Sequence, residues 1–108
     1  MELSVKDRLY LPTFLPARGH FKEFNLKKEI LRKIAIGDEE RKVINLRENA
    51  EDKRIEWDVE KEQPLPVEFS FDEMAYLQAA CEKISDEELP DDMWGTVEAI
   101  YNEISKEA

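Results

Sequence analysis

The chain has one cysteine and one histidine, the residue types that could form a catalytic nucleophile and its general base. A cysteine nucleophile needs a base within hydrogen-bonding distance, and His20 lies far along the chain from Cys81. Cys81 instead recurs at helical spacing with Leu77 and Ile84, where a free thiol usually packs as a small hydrophobic side chain. We therefore predict that Cys81 belongs to the core and that His20 is a solvated loop residue or a partner contact.

The remaining residue types indicate neither a phosphate loop nor a metal site. The three glycines, Gly19, Gly37 and Gly95, are isolated, whereas phosphate-binding loops cluster their glycines beside a helix start. A zinc site needs four nitrogen or sulfur ligands, which one histidine and one cysteine do not supply. We predict no cofactor and no metal.

Acidic residues are too numerous to single out a catalytic pair. The chain has 26 Asp and Glu residues, so neighbours such as Glu87–Glu88 and Asp91–Asp92 arise by chance. These four acids fall where helices are predicted to begin, and acids at that position stabilise the helix dipole. The sequence therefore predicts no catalytic residue, and a small carboxylate-using enzyme stays open as an alternative.

Aromatic side chains supply the candidates for partner binding. The segment 11–21 mixes prolines and a glycine with apolar residues, so we predict an irregular loop there. Aromatic residues in a loop either cover the core or contact a partner. On the last predicted helix two aromatic residues stand seven apart, which suits core packing or a dimer interface. The possible partner contacts are Phe14, Leu15, His20, Phe21, Phe24, Trp94 and Tyr101.

Four helices are predicted from apolar residues at helical spacing and from capping residues. The first begins at Ser4 and ends before Pro12, because proline disfavours helical geometry in the residue before it. Asn25 is predicted to cap the second helix, and Ser70 with Glu73 forms a capping-box pattern for the third. The predicted ranges are 4–11, 26–34, 72–84 and 91–104, with one further turn at 38–42.

Between residues 43 and 71 the apolar period changes to two, which indicates strands. The alternating sets begin at Ile44, Ile55 and Leu65, and short polar connections separate them. Proline cannot donate to a strand ladder, so Pro64 and Pro66 place the third strand at an edge. We predict an α+β domain over residues 1–108, in which about four helices cover one face of a three-stranded antiparallel meander.

The net charge of −10 is divided unequally along the chain. Residues 1–54 have 13 Lys and Arg against 10 Asp and Glu, whereas residues 55–108 have 3 against 16. This balance argues against binding to nucleic acid or to an anionic membrane, and it permits a basic partner or head-to-tail self-association. A single cysteine and the lack of a signal peptide or apolar span in the sequence predict the cytoplasm.

The first 45 residues resemble part of a known group of proteins. The opening LSVKDRLYLPTFLPARGHF, the following helix and the acidic GDEER resemble a group of small bacterial and prophage-type proteins with no assigned activity. The shared features are an L-S-V-K-[DE]-R start, a doubled L-P and a turn that contains glycine. The resemblance implies a phage or prophage setting and no particular site residue.

These observations favour a non-enzymatic protein that binds a protein partner or a second copy of itself. One alternative is an acidic inhibitor that mimics nucleic acid, in which the carboxylates of residues 55–108 occupy a basic groove. The other is the small enzyme with paired carboxylates.

Overall fold

The computed structural model describes residues 1–51 and 54–107, and these form a helix-rich α+β fold. The described residues contain five α-helices, four strands of two residues each and one 3₁₀ turn. The helices are α1 Val5–Phe14, α2 Phe21–Ile34, α3 Asp38–Val43, α4 Phe71–Lys83 and α5 Asp91–Glu107. The strands are β1 Glu2–Leu3, β2 Arg47–Glu48, β3 Ile55–Glu56 and β4 Leu65–Pro66, and the 3₁₀ turn is Val59–Lys61.

The three-stranded meander predicted for residues 43–71 is wrong. The strands form two separate antiparallel ribbons, β1 with β4 and β2 with β3. β4 pairs with the start of the chain: Leu3 stands opposite Leu65, and the Val67 N–H donates to the Met1 carbonyl at 2.7 Å. The first residues therefore take the place beside β4 that a meander would give to the second strand.

Ile44 shows why the expected first strand does not form. It caps the C-terminal end of α3 and is 2% exposed, so its side chain is buried from a helix end. Asn45 follows with a φ of 54°, a left-handed conformation that asparagine tolerates and that turns the chain out of the helix. Ile55 and Val59 are 52% and 65% exposed, so the alternating residues do not share a buried face. Residues 52–53 of the connection between β2 and β3 lie outside the described residues.

The core forms where helices pack on one another. α2 packs against α4, and α5 packs against both α1 and α4. The apolar faces of the helices were expected to pack on a sheet, but they pack on one another. A strand of two residues has too little apolar surface to bury a helix face. Side chains in this core include Leu11, Ile30, Ile34, Leu77, Cys81, Val97, Ile100 and Ile104.

The end of α1 and the start of α2 both differ from the prediction. α1 continues through Pro12 to Phe14, because Pro12 lies in its last turn and Phe14 is 5% exposed in the core. α2 begins at Phe21 and not after Asn25, since His20 takes the N-cap position and the Glu23 carboxylate accepts the His20 backbone N–H at 3.1 Å. Residues 11–14 and 21 of the predicted loop therefore belong to helices, and residues 15–20 form the connection between them.

α4 has the predicted capping box and begins at Phe71, one residue before the predicted start at Asp72. The Ser70 hydroxyl accepts the Glu73 N–H at 3.1 Å, and the Glu73 carboxylate accepts the Ser70 N–H at 2.7 Å. Glu73 is 3% exposed and also binds the Lys33 ammonium of α2 at 2.6 Å. This buried carboxylate therefore caps one helix and joins it to its neighbour.

Arg8 of α1 joins three helices from a buried position. Its side chain is 1% exposed. The guanidinium donates to the carbonyls of Ile34 and Ala35, at 2.9 and 2.8 Å, and to both carboxylate oxygens of Glu40. Carbonyls at the end of a helix have no partner within the helix, so Arg8 supplies the donors that α2 lacks at its C-terminus.

Candidate interaction surface

The first two turns of α2 carry exposed aromatic side chains away from the core, although an outward helix face is normally polar. Ile30 and Ile34 on its inward face are 0% and 2% exposed. Phe21 lies nine residues before Ile30, which places it about half a turn away around the helix axis. Phe21 and Phe24 are 78% and 55% exposed, so the sequence of α2 leaves two large apolar rings in solvent.

The two rings and a lysine form one continuous feature, which we call the aromatic ridge: Phe21, Phe24 and Lys28. The Phe21 and Phe24 ring centroids are 6.4 Å apart with an angle of 18° between the planes, a stacked arrangement. The Lys28 ammonium lies 5.9 Å from the Phe24 ring centroid, within the range of a cation–π contact. The ridge therefore presents flat apolar faces bordered by positive charge.

A cleft of about 450 Å³ lies beside the ridge, with Phe24 as part of its wall. The loop between α1 and α2 lines one side, and Tyr76 of α4 lines the other. The Lys27 ammonium donates to the Pro16 carbonyl at 3.0 Å, which ties this loop to α2. A Cβ atom at Gly19 would come within 3.2 Å of the Glu23 side chain, so glycine allows the loop to approach the helix closely.

Cations outnumber acids among the described residues of the ridge and cleft, where Arg18, Lys27 and Lys28 accompany one carboxylate, Glu23. Arg18, Lys22 and Lys28 form no ion pair within the part of the chain that the structure describes. Burial, assisted by the charge of Glu23, raises the pKa of Tyr76 above its ordinary value, so this phenol keeps its proton at neutral pH. An incoming group therefore meets Arg18, Lys27, the Glu23 carboxylate and a neutral hydroxyl beside the exposed rings.

The structure separates the residues predicted as partner contacts into two groups. His20, Phe21 and Phe24 are exposed together at the start of α2. Phe14 and Leu15 are 5% and 7% exposed and cover the core, so they do not belong to the surface.

Trp94 and Tyr101 of α5 are half-buried and pack against the core. The Tyr101 hydroxyl donates to the Glu82 carboxylate at 3.1 Å, which holds the ring against α4. Packing against the core therefore explains why these two aromatic residues are seven positions apart on α5.

Sequence reasoning missed several residues that belong to this surface. Arg18, Lys28 and Tyr76 were not singled out, because their relation to Phe24 depends on where α2 begins and on its packing against α4. A helix started at His20 would have placed Phe21, Phe24 and Lys28 on one outward face. Phe71 was assigned to a strand, yet it opens α4 and is 81% exposed.

The residues weighed for catalysis do not come together. Cys81 is 4% exposed in the core, where burial and then the charge of Glu82 raise the thiol pKa to about 11. His20 is exposed at the start of α2. Among residues 1–51 and 54–107 no group of three or more His, Cys, Asp or Glu side chains is placed to hold a metal ion.

No helix within the described ranges has the length and apolar character required to cross a membrane. Comparison of the chain with known protein families, with curated proteins and with solved structures gave no match. The prophage-type resemblance of the first 45 residues stays a prediction. The evidence for the candidate surface is therefore the geometry of α2 and of the residues around it.

Proposed function

We propose that this protein is a non-enzymatic accessory protein of the cytoplasm that binds another protein through the aromatic ridge. The partner surface that fits this ridge has an apolar side chain surrounded by acidic residues. The observation that carries the proposal is the stacked pair Phe21 and Phe24, exposed on the outward face of an otherwise well-packed helix.

Burial of these rings supports binding of useful strength. A phenylalanine buries on the order of 150 Å² or more at an interface, and apolar burial contributes about 25 cal/mol per Å². Covering roughly 150 Å² of the pair therefore stabilises a complex by about 4 kcal/mol before the costs of association. Contacts of that size in a central aromatic cluster are typical of the residues that dominate protein interfaces.

Charge selects the kind of partner. Arg18 lines the cleft beside Phe24, Lys28 lies over the Phe24 ring and Lys22 is exposed next to Phe21 in sequence, whereas the chain as a whole has a charge of −10. A long polyanion such as DNA or RNA would meet the basic ridge and also the repulsion of the acidic half. An acidic patch on a protein is small enough to contact the cations alone.

The test compares three forms of the protein as bait in an extract of its native host. The wild type, the Phe21→Ser/Phe24→Ser double variant and Phe71→Ser are immobilised, and bound proteins are quantified by mass spectrometry. Phe71 is a matched control, because it is as exposed as Phe21 but lies at the start of α4 beside the last turn of α2. The length of α2 separates it from Phe21 by about 18 Å.

The proposal predicts a protein retained by the wild type and by Phe71→Ser and lost by the double variant. Retention should weaken between 50 and 500 mM salt, because the cations of the ridge are exposed to screening. Identical sets of proteins from the wild type and the double variant would contradict the proposal, provided that circular dichroism shows the double variant to be folded.

Self-association is distinguished by molar mass in solution. Light scattering at two protein concentrations would report a dimer or larger assembly, and loss of that assembly in the double variant would identify a second copy as the partner. The nucleic-acid mimic and the carboxylate-using enzyme stay predictions from the sequence. Salt-sensitive capture of a basic protein that survives the loss of both ridge phenylalanines would favour the mimic.

A further inference from the structure

A second cleft, which shares no lining residue with the aromatic ridge or the cleft beside it, lies between α1, β3 and the start of α5. Its volume is about 590 Å³, within the range of pockets that hold small molecules. Leu9 and Tyr10 of α1 form one wall, and Ile55 and Trp57 form the opposite wall. Four apolar or aromatic side chains from two segments of the chain therefore line this space, which we call the Tyr10 cleft.

Hydrogen bonds fix both aromatic walls in position. The Tyr10 hydroxyl donates to the Asp92 carboxylate at 2.6 Å, across the boundary between α1 and α5. The Trp57 indole N–H donates to the Glu62 carboxylate at 2.6 Å. A ligand thus meets rings whose polar atoms are already bonded, and its binding loses little energy to reorganisation of the cleft.

Two cations line the same space, Lys6 of α1 and Arg54 before β3. The Lys6 ammonium lies 5.8 Å from the Tyr10 ring centroid, and in the described part of the chain neither cation forms an ion pair. Among the residues that the structure describes, Asp92 is the acid that lines the cleft, and its carboxylate accepts a hydrogen bond from the Tyr10 hydroxyl. The hydrogen bond from Tyr10 and the charge of Lys6 lower the pKa of Asp92, so it is ionised at neutral pH. Among the described lining residues two positive charges thus stand against one negative charge, and the Glu62 carboxylate behind Trp57 is already engaged by the indole N–H, a balance that favours a monoanion.

We propose that the Tyr10 cleft binds a small aromatic carboxylate. The aromatic body packs against Trp57 and Tyr10, and the carboxylate pairs with Arg54 and Lys6. Arginine binds a carboxylate through parallel N–H donors, whereas lysine contributes a point charge. This binding site is separate from the aromatic ridge, so the proposal can be tested independently of the proposed function.

The probe is 2-naphthoate, with 2-naphthamide as the uncharged control of the same shape. Binding to the full chain is measured by calorimetry, and its location by the two tryptophan indole N–H resonances in nitrogen-15 NMR spectra. Trp57 lines the cleft, whereas Trp94 packs against the core and serves as the internal reference. The variants are Lys6→Gln and Arg54→Gln, with Lys42→Gln on α3 as a control that removes one exposed lysine elsewhere.

We expect saturable binding of naphthoate with a dissociation constant below about 1 mM, as a pocket with this lining allows. The Trp57 resonance should shift and the Trp94 resonance should not. Each cleft variant should weaken naphthoate by about five- to thirtyfold, and naphthamide should bind the wild type more weakly by a similar factor. Lys42→Gln should match the wild type.

Three results would overturn the proposal. The first is no shift of the Trp57 resonance at millimolar naphthoate. The second is equal affinity of the wild type for naphthoate and naphthamide. The third is undiminished naphthoate binding in both cleft variants, which would remove the role of Lys6 and Arg54.

Discussion

Replacement of Arg8 by methionine tests the account of how the helices are held together. Methionine retains an apolar stem of similar length, so Arg8→Met removes the guanidinium with little loss of packing. Three acceptors then lose their donor: the carbonyls of Ile34 and Ala35, and the Glu40 carboxylate. These acceptors lie at the junction of α1, α2 and α3.

The magnitude follows from the burial of this junction. The Arg8 side chain is 1% exposed, while Glu40 is 32% exposed and regains some water when its partner is lost. Removing one member of a buried ion pair typically costs about 3–5 kcal/mol. A domain of this size has a free energy of unfolding of about 5–15 kcal/mol, so the variant loses a large fraction of its stability.

Urea unfolding followed by circular dichroism measures this loss. With a urea dependence of about 2 kcal/mol per molar, the unfolding midpoint of Arg8→Met should fall by about 2 M. Arg32→Met is the matched control, because its guanidinium is 68% exposed and pairs with Glu29 on the helix surface. The control should shift the midpoint very little. A loss below about 1 kcal/mol for Arg8→Met, or an equal shift in the control, would refute the reasoning.

Two further predictions concern the core and the end of α3. Burial raises the Cys81 pKa from 9.0 to about 11, so the folded state holds this proton more tightly than the unfolded state. The contribution of the protonated thiol to the free energy of unfolding should therefore be fully present below pH 9, and up to about 2 kcal/mol of it should be lost as the pH rises to 11. Urea unfolding at several pH values should show a smaller loss in Cys81→Ala. Asn45→Val should lower the free energy of unfolding by about 1–2 kcal/mol, because a β-branched residue resists the φ of 54°, whereas Asn45→Gly should be nearly neutral.

The parts of the fold that the sequence predicted correctly are those with local signals. α4 is specified by Ser70 and Glu73 three residues apart, and both hydrogen bonds of that capping box form within the same turn. α5 is specified by its start at Asp91 and a long apolar stripe. These signals need no information from distant residues.

The sheet was mispredicted because strand pairing is a long-range property. Alternation at Ile55 and Val59 looks like a strand, yet both side chains are largely exposed. β4 pairs with β1 at the start of the chain, where Leu3 stands opposite Leu65, and the local period does not reveal a pairing between residues so far apart. Asn45 also ends α3 in a left-handed conformation, and an asparagine in the sequence does not by itself predict that conformation.

The candidate surface was predicted in part, and the error has a specific cause. One aromatic stretch contains both Phe14, which covers the core, and Phe21, which is exposed. Only the angular position of each residue on its helix separates the two roles, and that position depends on the start of α2 at His20. The capping contact from Glu23 that fixes this start is visible in the sequence once His20 is considered as an N-cap residue.

The most direct test of the aromatic ridge is photocrosslinking at single positions in living cells of the native host. p-Benzoylphenylalanine replaces Phe24 in one form of the protein and Phe71 in another, so that both probes are exposed phenylalanine analogues. The proposal predicts a discrete crosslinked protein from position 24 that is absent from position 71; a product of twice the 12.7 kDa chain mass would identify a second copy as the partner. The same faint or absent products from both positions would contradict the claim that this surface binds a protein.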